Sequence, residues 1–162
     1  MPINNTRNSH DQGAFSRARG IDMEDMAYYD LIAYFHEIYV HVQPRKRKIN
    51  FDFIIYAQNA TFAVDVFFSN SLSNMKNEAR KKINTYSSFG QKVCIVQMNS
   101  QLNGNIQQLS ARATQNIGLF DYDEFIKEIK SKFKPLVAPK GYHEFDLSDL
   151  VLQHRVKKAT RP

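Results

Sequence analysis

Apolar residues recur along this chain at two periods, and the change from one to the other marks out its elements. In "DMEDMAYYDLIAYFHEIY", which starts at Asp22, the residues Met23, Ala27, Leu31, Tyr34, Phe35 and Ile38 fall at steps of three and four. That spacing predicts one buried face of an α-helix, and its acidic first turn suits the positive end of the helix dipole. "VHVQ" predicts a short strand before Pro44. Residues 49–56 and 61–68 predict two strands, and the four residues "AQNA" between them are short enough for a hairpin. The polar run "SNSLSN" supplies N-caps for a helix over 75–88, with Met75, Ala79, Ile83 and Tyr86 inward and Gly90 near its end. "KVCIVQM" is a continuous apolar run too short for a typical helix and predicts a central strand. A helix over 105–116, a strand at "IGLF" and a closing helix over 123–134 follow. The last has Phe125, Ile126, Ile129 and Phe133 inward and is stopped by Pro135. The predicted class is α/β, a mixed central sheet flanked by helices.

Length and composition narrow this further. At 162 residues with 43% hydrophobic content, the chain fits one globular domain over 21–135. It is preceded by a flexible basic arm over 1–20. An extension over 136–162 is expected to be ordered around "FDLSDLVLQ" and loose beyond it. The net charge of +6 and pI near 9.4 point to a polyanionic partner. Cys94, the single cysteine, sits in an apolar run and reads as a buried thiol, so no disulfide or cysteine zinc site forms within one chain. The five histidines lack metal-ligand spacing, and the scattered glycines form no phosphate cradle, so no nucleotide cofactor is expected. No apolar run approaches the roughly 20 residues of a membrane-spanning helix. With no signal-peptide pattern at the start, a cytoplasmic, nucleoid-associated location is the default.

Each of the two hairpin strands carries an aspartate. Strand side chains alternate, so Ala63, Asp65 and Phe67 share one face, opposite Val64, Val66 and Phe68. In the first strand Asp52 shares a face with Asn50, Ile54 and Tyr56, while Phe51, Phe53 and Ile55 take the other. Paired through "AQNA", the strands bring Asp52 and Asp65 to one face. Two desolvated carboxylates repel, and a divalent cation or a shared proton is the usual compensation. Magnesium, which uses one or two carboxylates with water and substrate phosphate, suits such a pair. The plain alternative has Asp52 cap a strand or pair with Arg45 or Arg47 and leaves Asp65 at a sheet edge in water.

The run "ARGIDMEDMAYYDLIAYF…INFDFII…FAVDVFF…MKNEARKKINTY…KVCIVQM" resembles the PD-(D/E)XK nuclease superfamily, above all its Holliday junction resolvase-like and restriction endonuclease-like branches. The resemblance covers roughly residues 17 to 100 and implies a restriction endonuclease-like α-β-β-β-α-β core. Glu24 matches the helix glutamate, Asp52 the first motif acid and Asp65 the second; together these would hold magnesium or manganese and hydrolyse DNA phosphodiester bonds. Resolvase-like members work as symmetric dimers, so a homodimer is also implied. One position departs from the pattern: Phe67 stands where the family places its lysine. Some members carry that base on the next helix, which makes Lys76 and Arg80 the candidates. Lys81 and Lys82 suit that role less, because Glu78 can pair with Lys82 at i, i+4, and they are assigned to DNA contacts. Gln97 would either approach the metal or satisfy a backbone group, and Tyr28 would either pack in the core and its rim or, four residues after Glu24, hydrogen-bond within the site.

The remaining basic groups are candidate phosphate contacts: Arg45, Lys46, Arg47 and Lys48 at the hairpin mouth, with Arg17 and Arg19 in the arm. Without a base-reading motif, binding would follow phosphate charge and depend steeply on salt. Phe67 favours a rival reading, a nuclease-like fold without catalysis that serves as a nucleic-acid-binding or interaction module. An RNA-binding protein of other ancestry is weaker, since surface aromatic platforms are missing.

Overall fold

The computed structural model describes residues 23–43 and 51–138. The basic arm with Arg17 and Arg19, the basic run Arg45, Lys46, Arg47 and Lys48, and most of the C-terminal extension lie outside the described residues.

The chain opens with helix α1 (23–35), which passes through a short 3-10 turn, Glu37–Tyr39, into edge strand β1 (Val40–Val42). β2 (Phe53–Tyr56) and β3 (Thr61–Phe67) form the hairpin, followed by α2 (Leu72–Tyr86), β4 (Lys92–Gln97), β5 (Ile117–Asp121) and α3 (Tyr122–Lys132). The five strands lie in the order β1-β2-β3-β4-β5. The first three are mutually antiparallel, and β3, β4 and β5 run parallel. The sheet is therefore mixed and has helices on both faces, as the alternation of periods predicts.

One face packs Leu31 and Phe35 of α1 and Phe125 and Ile129 of α3 against Phe53, Ile55, Phe62 and Val64. The other packs Met75, Ala79, Ile83 and Tyr86 of α2 against Ala63, Val93 and Ile95. Strand alternation assigns each residue to its face, with one exception. Phe51 lies on the α2 side, where its ring meets those of Tyr86 and Phe89 at 4.9 and 5.7 Å, rather than with Phe53 and Ile55. It precedes the regular strand, so the pleat does not bind it.

The hairpin turn closes through Ala57 N–H to the Ala60 carbonyl, 2.9 Å. Its tip is tied to the end of α3 by Asn59 Nδ2 to the Lys132 carbonyl (2.7 Å) and Gln58 N–H to that of Lys134 (2.8 Å). Ser71 caps α2, its Oγ accepting from Asn74 N–H at 3.2 Å, so the helix starts three residues earlier than its apolar stripe predicts. The predicted helix over 105–116 is instead a 3-10 helix, Ile106–Arg112. Its two buried anchors, Ile106 and Leu109, are three residues apart, which is the 3-10 period. Phe133 lies just past α3 yet still points inward, stacked on Phe62 at 4.1 Å. Among the described residues no helix is long and apolar enough to cross a membrane.

Candidate active site

The hairpin register brings the two aspartates together. Phe53 pairs with Val64 and Ile54 with Ala63; one step back along the same ladder sets Asp52 opposite Asp65. Directly opposed residues on antiparallel strands hold their Cβ atoms about 4.5–5.5 Å apart. The backbone fixes Asp52 on three sides: its N–H donates to the Val64 carbonyl (3.0 Å), its own carbonyl accepts from Gln43 N–H (3.0 Å), and its Oδ2 accepts from Val66 N–H (2.8 Å). Asp65 is buried, with 4% of its surface exposed.

Burial, first, and then the charges of Asp65 and Glu24 and a hydrogen bond with Asp65, push the Asp52 carboxyl well above the usual carboxylate range; the Val66 N–H opposes them. The pair thus accommodates itself by keeping a proton on Asp52 to higher pH than a lone aspartate would.

A cation reaches Asp65 from α2. Lys82 Nζ lies 2.8 Å from Asp65 Oδ2, and the Tyr86 hydroxyl donates to the same oxygen at 2.5 Å. Lys82 and Tyr86 are four apart and so share a helix face. Burial alone would lower the Lys82 ammonium, but the charges of Asp65, Asp52 and Glu78 and the bond to Asp65 outweigh it, and the net shift is upward. Its Nζ also stands 5.6 Å from the centre of the Phe67 ring, within cation–π range.

This corrects the expected pairing of Lys82 with Glu78. The i, i+4 rule describes exposed pairs worth a few tenths of a kcal/mol, whereas Asp65 meets Lys82 inside the protein, where water screens far less. The candidates taken from the helix do not make this contact. Among the described residues neither Lys76 nor Arg80 forms an ion pair with Asp52 or Asp65, and Arg80 Nε is buried without a hydrogen-bond partner. Lys81 faces solvent. The signal for Lys82 was in the helix itself: three residues past Ala79 and four before Tyr86, it falls on the stripe that packs on the sheet.

Glu24 is buried on α1, the helix of the opposite face, and its charge contributes to raising Asp52. Among the described residues no group of three or more His, Cys, Asp or Glu side chains is placed to hold one ion. Tyr28 is core, stacked on Phe53 at 6.1 Å, with its hydroxyl pushed up to about 12 by burial and by Glu37. Of the two roles open to Gln97, the amide takes the second: its Oε1 accepts from Asn99 N–H (3.0 Å), while its Nε2 donates to Asp121 Oδ1 (2.6 Å) and Asn103 Oδ1 (3.1 Å). No protein-family model matches the chain, and neither a curated protein nor a solved structure does.

Proposed function

We propose that the chain is a metal-dependent endonuclease of the PD-(D/E)XK kind that hydrolyses DNA phosphodiesters, with Asp52, Asp65 and Lys82 at its centre. The observation that carries the reading is the opposition of two carboxylates across a hairpin, with a half-buried lysine delivered onto one of them by the following helix. The element order α-β-β-β-α-β over 23–97 supports it as well.

The carboxylates fit magnesium or manganese. Val66 N–H, Lys82 and Tyr86 meet the aspartates at Oδ2, and a cation would displace the hydrogen bond that joins the two carboxyls. Two carboxylate oxygens completed by water and substrate phosphate are an ordinary magnesium donor set. When bound, the ion supplies charge neutralisation at the phosphate and makes water a better nucleophile. The chain's own groups do the rest. Val66 N–H holds Asp52 in orientation, and Tyr86 and Lys82 hold Asp65. The Lys82 ammonium supplies the positive charge that a strand lysine would, offsetting charge that develops on the phosphate and orienting the attacking water. Phe67, which cannot act on water, instead floors the Lys82 side chain. Exposed Lys81 and the basic residues outside the described region would track the phosphate backbone.

The rival, a non-catalytic nucleic-acid-binding module, draws on Phe67 and on there being, among the described residues, no group of three carboxylates placed to hold one ion. A cleavage assay decides between them. Purified protein with magnesium or manganese is offered linear duplex, single-stranded, supercoiled and four-way-junction DNA. The wild type should cut at least one; Asp65→Ala should abolish cutting, and Lys82→Met should reduce it about 10²–10³-fold, while Lys76→Ala and Arg80→Ala stay within a few-fold. Binding without cutting on every substrate would establish the rival. Preference for the junction, with a dimer in sedimentation, would place the chain on the resolvase-like branch.

A further inference from the structure

The connection between β4 and β5 has an unusual composition. Over residues 98–116, eight of nineteen positions are Asn or Gln, there is no Asp or Glu, and Arg112 is the single charge. Its first part, 99–105, is fixed by a buried polar network. Asn99 Nδ2 donates to the Ser69 carbonyl (2.8 Å), Gln101 N–H to Asn99 Oδ1 (3.0 Å) and Gly104 N–H to Asp121 Oδ2 (2.8 Å). Gly104 takes a φ of +88°, the conformation that favours glycine. At the base lie Gln97, wholly buried, and Asp121, 4% exposed; Gln97 Nε2 donates to Oδ1 of both Asp121 and Asn103. Polar groups buried in this way add little to packing; they fix the shape of what they hold.

That shape presents exposed amides where the chain leaves β4, the strand next to the one that carries Asp65. Gln97 pairs with Phe67, the residue beneath Lys82, and stands one strand over and two residues along from Asp65, roughly 8 Å away by strand spacing and rise. Asn103 lies against Gln97. Gln101 is exposed, and its side chain bonds nothing among the described residues. The Oδ1 of Asn103 is taken by Gln97, so its Nδ2 remains to donate outward.

Resting on the nuclease reading above, we infer that the 99–105 loop reads base edges of the DNA beside the scissile phosphate. The chemistry is specific. A Gln amide offers one acceptor and one donor, the bidentate match to adenine N6 and N7, and a donor-only Asn suits a purine N7. A surface without carboxylates can approach a polyanion closely. At about 3.4 Å per base step, the loop meets bases roughly two to four steps from the phosphate at Asp52 and Asp65.

The test uses the full chain on a duplex library of random sequence with magnesium, sequencing the ends that cutting produces. Wild-type ends should be enriched in adenine at one position within about four bases of the cut. Gln101→Ala should reduce that enrichment about 5- to 100-fold, and Gln101→Glu should move it towards cytosine, whose N4 amino group a carboxylate accepts from. Both substitutions are at an exposed side chain, and the readout is a base distribution that a general change in rate does not alter. Wild-type cutting with no base preference, or an unaltered preference in Gln101→Ala, overturns the inference and leaves the nuclease reading standing. No cutting on any substrate overturns both.

Discussion

Asp52 and Asp65 sit in almost the same place and differ in what the protein offers them. Asp65 receives an ammonium and a phenol hydroxyl; Asp52 receives a backbone N–H, a hydrogen bond with Asp65 and the negative charges of Asp65 and Glu24. A carboxyl raised in the fold contributes stability that is fully present below its ordinary value, 3.8, and lost as pH rises through the raised one. Asp52→Asn keeps an oxygen for Val66 N–H but cannot ionise. Denaturant titrations between pH 4 and pH 9 should therefore show the variant gaining on wild type as pH rises, and a difference independent of pH would contradict the shift. Lys82 runs with the same sign from a higher starting point: its contribution holds below 10.5 and is lost above its raised value.

At the scale of elements, the hairpin was legible and the helix only half so. A four-residue connection between two alternating runs sets which residues share a face, and that alone brought Asp52 and Asp65 together. Lys82 was hidden because local rules treat a helix as if it stood in water, where Glu78 is the natural partner; the sheet beneath α2 supplies a better one. Tyr86 was legible as core but not as a donor, since its hydroxyl matters only once Asp65 lies under it. The 105–116 segment misled because amide-rich stretches bond their own backbone, as Asn105 Nδ2 does to the Leu102 carbonyl at 2.9 Å. If Lys82 has taken over the task of a strand lysine, the positions should exchange. Lys82→Met combined with Phe67→Lys should recover cleavage by at least tenfold over Lys82→Met alone, and failure to recover any would assign Lys82 a purely structural part.

Across the whole molecule, the Phe62 cluster and the opposed aspartates lie on different faces of the sheet. Phe62 is fully buried on the face away from the acids, between Phe133 at 4.1 Å and Phe35 at 5.9 Å. Phe62→Ala should lower unfolding free energy by about 3–5 kcal/mol, measured in denaturant. Where the protein remains folded, the Asp65 contacts should persist, because they belong to the other layer. On that other layer the negative and positive partners are carried by different kinds of element. The gap between the aspartates is set by strand spacing, which backbone hydrogen bonds hold constant. The gap from Lys82 to Asp65 is set by how deeply Met75, Ala79 and Ile83 let α2 settle on the sheet. A methyl group gained or lost beneath the helix would retune the cation against a fixed pair of acids, so the reach from Lys82 to Asp65 can be adjusted in small increments from the apolar face of α2.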